Sequence, residues 1–315
     1  MIFCPREETM AKAKEINIDS NKQEIINNIP GFPVACYNSE FSSGTYDYID
    51  WHWHVEFQLC LTTRGAVIWG SGSKQILVPS GEGIFINSQS VHMARPQADQ
   101  ETSFFCVDIP PAFLCYDKRS SLYEQSIRPI LDNAGLQSKV IDNRTRAGAE
   151  IIQILSDMSD TFDEKQNGYE FELVSSVFIL WKRLRELLDD EIGQATKKTD
   201  DRFREILIFL QKHYHEEVGL DEIAAHIGLS RSECCRYFKK QSGQSIFDYL
   251  TQYRVHKSMD MLSGTDYDIA QIAQDCGFSN QSYYSQRFKK FTGITPRQYR
   301  KQQREKYEQH FFWNP

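Results

Sequence analysis

One pattern occurs twice in the C-terminal part of the chain, and it restricts that part to short helices paired around tight turns. In the later copy, Asp268 with Gln271 makes a capping-box start, and Ile269, Ile272 and Ala273 give an apolar helical face. Cys276-Gly277-Phe278 supplies the turn, because glycine tolerates the positive φ that ends a helix and reverses the chain. A second helix starts at Asn280 and buries Tyr284, Phe288 and Phe291 at helical spacing. Gln281, Ser282, Ser285, Gln286 and Lys289 are left outward, and with the capping Asn280 they are the candidate DNA contacts of this copy. A short helix, a glycine turn and a helix with amide, hydroxyl and cationic side chains outward are the parts of a helix-turn-helix reader of the DNA major groove.

The earlier copy aligns with this one residue by residue. Ile223-Ala224, Gly228, Ser230, Phe238-Lys239-Lys240, Gly243, Ser245 and Tyr249 correspond to Ile272-Ala273, Gly277, Asn280, Phe288-Lys289-Lys290, Gly293, Thr295 and Tyr299, with one residue inserted after Gly277. Ser230 and Glu233 form a capping box, and Cys234, Tyr237 and Phe238 face inward. Arg231, Ser232, Cys235, Arg236 and Lys239 face outward. Arg236 suits the O6 and N7 acceptors of guanine, whereas Gln286 at the aligned position suits adenine. The Lys-Lys pairs and the helix N-termini are suited to phosphates, which set register without reading sequence.

At these residues the chain resembles the AraC/XylS family of bacterial transcription regulators. The likeness is strongest from Ile269 to Arg300, through the Ile-Ala pair, Gly-Phe, a Tyr-Tyr where Tyr-Phe is usual, Phe-Lys-Lys, Gly, Thr-Pro and Tyr-Arg. It extends more loosely back to Asp200, and the N-terminal half resembles the cupin-like sensor domain of many members. The resemblance implies two helix-turn-helix units joined by a long central helix, fitting Ile246 to Leu262. It also implies a double-stranded DNA partner, a homodimer, and activation with RNA polymerase as a further partner.

The chain of 315 residues, 40% hydrophobic, has length for two domains and a linking region. The expected division is a tail over 1–30, a cupin-like effector-binding domain over 31–115 and a helical linker or dimerisation region over 116–192. An interdomain linker over 193–199 and a DNA-binding domain over 200–306 follow. The fold class is thus an all-β barrel or jelly roll with appended helices, followed by an all-α domain. No apolar run approaches the length of a membrane span, and Arg6, Glu7 and Glu8 interrupt the start, so no membrane partner and a cytoplasmic location are expected. Eight cysteines without paired spacing read as reduced thiols, not a disulfide scaffold or zinc site.

The net charge of −7 weighs against a nucleic-acid partner until it is divided along the chain. From Asp200 onward there are 17 Lys and Arg against 15 Asp and Glu, which leaves 19 against 28 before it. The acidity lies in the N-terminal half. Local placement must therefore supply affinity for DNA, and Arg231, Arg236, Lys239, Lys240, Arg287, Lys289, Lys290, Arg297, Arg300 and Lys301 gather at the two readers.

Short apolar segments punctuated by Gly, Ser and Pro read as antiparallel strands: Val34 to Tyr37, His54 to Leu61, Ala66 to Trp69, Gln75 to Val78, Ile84 to Asn87 and Phe104 to Ile109. In the second of these, Val55, Phe57, Leu59 and Leu61 share one face, and His52, His54, Glu56, Gln58 and Cys60 the other. From Tyr116 to Ile192 the period is helical, with one stripe through Ile151, Ile152, Ile154, Leu155 and Met158 and a broader one from Leu173 to Leu188.

Metal-binding cupins carry a His-x-His pair, a carboxylate, a Gly and a final His, which His52, His54, Gly65 and His92 resemble. Gln58 stands where the carboxylate belongs, and a neutral amide is a poor ligand for a divalent transition metal. The expectation is therefore no metal and no cofactor, and a small-molecule effector lined by His52, His54, Glu56, Gln58, Trp69 and His92. Aromatic side chains that stack on sugars make a carbohydrate one effector class, although Trp51, Trp53 and Trp69 taken singly read as core packing. The leading reading is a non-enzymatic regulator. Two readings compete with it: a metal-dependent cupin enzyme fused to a helical domain, and a scaffold whose helical repeats bind proteins.

Overall fold

The apolar runs of the N-terminal half form strands because alternate residues enter two different cores. The computed structural model describes residues 17–18, 24–25, 32–41, 48–97, 100–133, 135–192 and 202–311. Most of the expected tail and all of the expected linker over 193–199 lie outside the described residues. The chain divides into two units, Met1–Thr199 and Asp200–Pro315, each described by itself.

Among the described residues of the first unit, nine strands follow a two-residue ladder between Asn17–Ile18 and Glu24–Ile25. They are β1 (Ala35–Phe41), β2 (Ile49–His52), β3 (Phe57–Arg64), β4 (Ala66–Ser71), β5 (Lys74–Pro79), β6 (Gly83–Ile86), β7 (His92–Pro96), β8 (Thr102–Ile109) and β9 (Ser138–Ile141). One sheet runs β9-β6-β3-β8-β1 and the other β2-β7-β4-β5, with every ladder antiparallel. On β3, Phe57, Leu59 and Leu61 enter a core shared with helices, while Cys60 joins Trp69, Ile84, Phe104 and Cys106 in a core between strands of both sheets.

The long helices of this unit are α1 (Arg146–Glu164) and α2 (Tyr169–Leu187), besides short helical segments at Pro111–Leu114, Tyr123–Ile127, Arg128–Leu131 and Asp189–Ile192. Thr145 caps α1, its hydroxyl accepting from Gly148 N at 3.0 Å. Ile151, Leu155 and Met158 of α1 and Leu173, Val177, Leu180, Trp181 and Leu184 of α2 are buried in the same core as the outer face of β3. Phe57 and Trp181 bring their ring centroids to 4.6 Å. Each such side chain contributes about 1.5–3 kcal/mol by leaving water. The Arg183 Nε to Glu150 Oε2 ion pair, at 2.5 Å, joins the two helices at their half-buried edge.

Several sequence expectations change here. The strand read from His54 to Leu61 begins only at Phe57, because the chain crosses from one sheet to the other between His52 and Phe57. Val55, expected to share a strand face with Phe57, Leu59 and Leu61, lies in that crossing and is 38% exposed. Strands β2 and β7 were not expected. Strand β9 lies inside the region read as wholly helical, and it completes the edge of the larger sheet by pairing with β6.

The second unit contains α3 (Arg202–Lys212), α4 (Leu220–His226), α5 (Arg231–Ser242), α6 (Ile246–Gly264), α7 (Ile269–Asp275), α8 (Gln281–Thr292) and α9 (Pro296–Phe311). The repeat in sequence is a repeat in bonds. Leu229 N donates to Ala224 O at 3.0 Å and Phe278 N to Ala273 O at 2.9 Å, closing the same turn in each copy. At that turn Gly228 and Gly277 have φ of +66° and +78°, which L side chains rarely adopt. At the other end of the reader, Ser242 Oγ donates to Phe238 O and Thr292 Oγ1 to Phe288 O, at 2.9 and 2.8 Å. Phe238 meets Tyr249 at 5.7 Å between centroids, as Phe288 meets Tyr299 at 5.6 Å.

The central helix α6 packs against both copies. Tyr249 accepts from Gln211 Nε2 at 2.8 Å on one side, and Ser258 Oγ accepts from Tyr284 Oη at 3.0 Å on the other. Two expected details differ. Asp268 accepts from Gln271 N at 2.7 Å, but the Gln271 side chain donates forward to Asp275, so only half of the capping box forms. Phe291 is only partly buried.

Candidate functional sites: two outward helices and a buried histidine cluster

Helices α5 and α8 take their orientation from the residues they bury. Cys234 and Phe238 anchor α5, and Tyr284 and Phe288 anchor α8. The opposite faces are then solvent-facing by geometry, since positions three and four apart share a side. Arg231, Ser232, Cys235, Arg236 and Lys239 are exposed on α5, and Gln281, Ser282, Gln286 and Lys289 on α8, whereas Ser285 is half-buried. Ser230 and Glu233 form the reciprocal cap, with Ser230 N donating to Glu233 Oε2 at 3.0 Å. The Ser230 hydroxyl, and after it that backbone bond, hold the Glu233 carboxyl below its ordinary range. Asn280 is exposed but acts as a cap, its Oδ1 accepting from Tyr283 N at 2.8 Å.

The ten cations counted at the readers differ in their surroundings, and Arg297 and Lys301 are exposed on α9. Arg236, Lys239, Lys240, Lys289 and Lys290 are exposed on α5 and α8. Arg287 is half-buried and bonded to Asp248, and Arg300 donates to Leu262 O and to Tyr267 O, so both act inside the fold. Arg231 is exposed but its Nε lies 3.2 Å from Asp221 Oδ1. The sequence reading passed over Tyr283, which is 43% exposed on the first turn of α8. Its position beside the buried Tyr284 was the available signal.

In the first unit, strand register places His52 directly opposite His92, and His92 directly opposite Ser71. His54 joins them from the crossing segment. Ring centroids are 4.1 Å apart for His52 and His92, 4.9 Å for His54 and His92, and 5.9 Å for His52 and His54. All three side chains are buried, and one nitrogen from each lies within 4.8 Å of the others. Their Nδ1 atoms face backbone carbonyls: His52 to Asp50 O at 2.7 Å, His54 to Glu56 O at 3.1 Å and His92 to Ser90 O at 2.9 Å.

The remaining expected lining divides by element. Trp69 on β4 holds its ring 6.3 Å from His92. Gln58 sits on the other sheet, where its Nε2 donates to Asp108 Oδ1 at 2.9 Å and to Tyr37 Oη at 3.1 Å. Glu56 lies on the Nδ1 side of His54, Oε2 at 3.8 Å. Asp108, Tyr37 and Ser71 were absent from the sequence-based lining. Asp108 was legible as an acid inside the apolar run from Phe104 to Ile109, whereas Ser71 depends on register. A groove of about 360 Å³ opens elsewhere in this unit, lined by Leu114, Leu122, Phe178, Trp181 and Arg185 among others.

The fold and these two surfaces define a class: a regulator with a sheet-rich ligand-binding unit and a DNA-binding unit of paired helix-turn-helix motifs. Residues 39–177 match the AraC-like ligand binding domain, and residues 223–302 the helix-turn-helix domain. The chain belongs to the AraC family of transcriptional regulators.

It is 28% identical over 290 residues to the uncharacterized HTH-type transcriptional regulator YdeC of Bacillus subtilis (strain 168), covering 91% of this chain and 99% of that one. It is 29% identical over 156 residues to the HTH-type transcriptional activator RhaS of Mannheimia succiniciproducens, covering 48% of this chain and 55% of that one. Among solved structures, fatty-acid-bound ToxT from Vibrio cholerae is similar at 14% identity and TM-score 0.45, over 88% of this chain and 97% of that one. Among the described residues no helix is long and apolar enough to cross a membrane.

Proposed function

We propose that α5 and α8 read adjacent major-groove segments of one promoter DNA, with Arg236 on a guanine and Gln286 on an adenine, and that a small effector in the barrel interior changes promoter occupancy. The observation that carries the DNA half is the pair of equivalent helices, each anchored by two buried residues and each leaving its polar residues in solvent. The exposed Lys239, Lys240, Lys289 and Lys290 are suited to phosphates. For the effector, the supporting observation is a buried polar set, His52, His54, His92, Gln58, Asp108 and Ser71, beside Trp69 inside the barrel. The coupling between the two cannot exceed the effector's differential affinity for the two states it distinguishes.

The protein acts as a homodimer in this reading and as an activator that engages RNA polymerase. Support for the dimer is the outward side of α2, where Phe178 is 47% exposed and Phe171 and Ile179 are exposed as well. Support for activation is the Mannheimia relative, which is named an activator. A metal-dependent enzyme or a protein scaffold predicts no DNA affinity. Titration of labelled duplex DNA with the full chain separates them: a regulator loses affinity steeply as salt rises, and an absence of salt-dependent binding overturns the reading.

A further inference from the structure

The groove beside α2 lies outside the barrel interior, between that helix and the segment from Leu114 to Ile127. Its walls are largely apolar. Leu122 and Phe178 are about half exposed along it, while Ile127 and Trp181 are buried against it. A concave, mostly apolar space of about 360 Å³ is of the size that small organic ligands occupy.

The polar groups left over in this lining are all donors. Trp181 Nε1 and Arg185 Nη1, one turn apart on α2, are buried and have no hydrogen-bond partner among the described residues. Neither an indole N–H nor a guanidinium can accept, so only an acceptor satisfies them. Trp181 is 6% exposed and is fixed by its contact with Phe57, whereas the Arg185 side chain is 23% exposed and free to turn about its outer torsions. The acids of the lining do not meet this need. Glu186 is taken by Arg183 at 2.8 Å, and Asp189 Oδ1 stays 3.9 Å from Arg185 Nη2, beyond hydrogen-bond range. Lys182 adds an exposed cation to the same lining.

We propose that this groove binds a small organic carboxylate, its apolar body against Leu122, Ile127 and Phe178 and its carboxylate on Arg185 and Trp181 Nε1. An ionised acceptor between these donors forms the charge-assisted bonds that the groove otherwise lacks. The site is separate from the barrel interior and stands without the effector or DNA readings above. Phe178 also belongs to the exposed side of α2 invoked for the dimer, which makes a second copy of the chain the competing occupant. Two unmatched donors beside a second cation favour the anion.

The backbone of the other wall points the same way. Tyr123–Ile127 is a π-helical turn, closed by Arg128 N donating to Tyr123 O five residues back. Such turns are rare and occur mostly at functional sites, because the widened turn displaces side chains from their α-helical positions. Here the turn supplies Ser126 and Ile127 to the lining.

The test titrates the full chain by calorimetry with phenylbutyrate and indolepropionate, each beside its neutral primary amide. At least one acid is expected to saturate one site per chain, at least about 10-fold tighter than its amide. Arg185→Gln should weaken that acid at least about 10-fold and bring it level with the amide, and Arg185→Lys should recover part of the loss. Ser126→Trp, which fills the groove from a half-buried position, should abolish binding while circular dichroism matches the wild type. If a variant fails to fold, a photoreactive diazirine analogue of the acid decides on the wild-type chain: label within residues 114–127 or 178–189 supports the site, and label on the barrel strands sinks it. The proposal is also overturned if neither acid saturates, if acid and amide bind alike, or if folded Arg185→Gln binds as the wild type does. Affinity that falls as the chain is concentrated into a dimer identifies the second copy as the occupant and overturns it too. None of these readouts involves DNA, so failure of the regulator reading is told apart from failure of the groove.

Discussion

Arg287, on the second outward helix, donates from Nη2 to Asp248 Oδ1 at 3.1 Å, at the first turn of the central helix. The guanidinium also lies over the Phe291 ring at 5.2 Å and the Tyr283 ring at 5.9 Å. Asp248 is held in turn by Ser245, whose hydroxyl donates to Oδ2 at 2.7 Å. This chain of contacts ties α8 to the start of α6, the helix that follows α5. A cation that the sequence places among DNA contacts therefore sets the position of one reader relative to the segment leading from the other.

Arg287→Ala should cost about 0.5–1.5 kcal/mol of stability, the sum of one partly exposed ion pair and its aromatic contacts. The Asp248 carboxyl is held below its ordinary range, first by Ser245 and then by Arg287. A lowered folded-state pKa means a contribution fully present at neutral pH and lost as pH falls through that value, below about 3.9. Denaturant midpoints of the wild type and the variant should therefore differ at pH 7 and converge in acid. A constant gap down to strong acid would assign the effect to packing alone.

Gly277 and Gly228 occupy equivalent turns but different surroundings. A Cβ on Gly277 would lie 2.5 Å from Tyr214 O, whereas one on Gly228 would meet nothing within 4 Å. Gly228→Ala should cost about 1 kcal/mol for its positive φ, and Gly277→Ala upwards of about 2 kcal/mol because a backbone oxygen must also move. Thermal unfolding of the two variants checks the order. Equal losses would show that the neighbourhood of Tyr214 yields freely.

Cys235 is exposed between Arg231 and Lys239 on the outward side of α5, while Cys36 and Cys276 are buried. Burial pushes the Cys36 thiol up to about 12, with the nearby Asp108 and Cys106 adding to it, and burial pushes Cys276 up to about 12 as well. Thiolates are the reactive form, so alkylation should reach Cys235 while sparing these two. Bound operator DNA should slow the reaction at Cys235. Mass spectrometry with and without duplex reads this directly, and an unchanged rate at Cys235 would remove α5 from the interface.

The helical unit was legible because its signals are local. Ser230, Asp268 and Asn280 cap the helices they precede, and glycines occupy both turns. The barrel was legible only in part. Strands β2, β7 and β9 are short, and their assignment depends on partners distant in sequence, as with Ser138–Ile141 against Gly83–Ile86. His52 and His54 were placed together by period-two spacing and His92 by likeness to the cupin motif, but spacing on one strand was the wrong geometry. Two of them meet through the register of β2 and β7, and the third arrives from a crossing that period-two reasoning cannot see. Exposed cations looked alike in sequence, and only tertiary contacts separate Arg287 and Arg300 from Arg236 and Lys289.

Selection of bound duplexes from random DNA by the full chain tests the central claim most directly, run beside Arg236→Ala and Lys289→Ala. Two short preferred elements about one helical turn apart are expected. Arg236→Ala should lose the base preference at one position of one element, at about 1–3 kcal/mol, and Lys289→Ala should keep the preferences while weakening all sequences and lowering the salt slope by about one. No enrichment by the wild type, or the same preferences and affinities in all three proteins, would contradict the assignment of α5 and α8 as the readers.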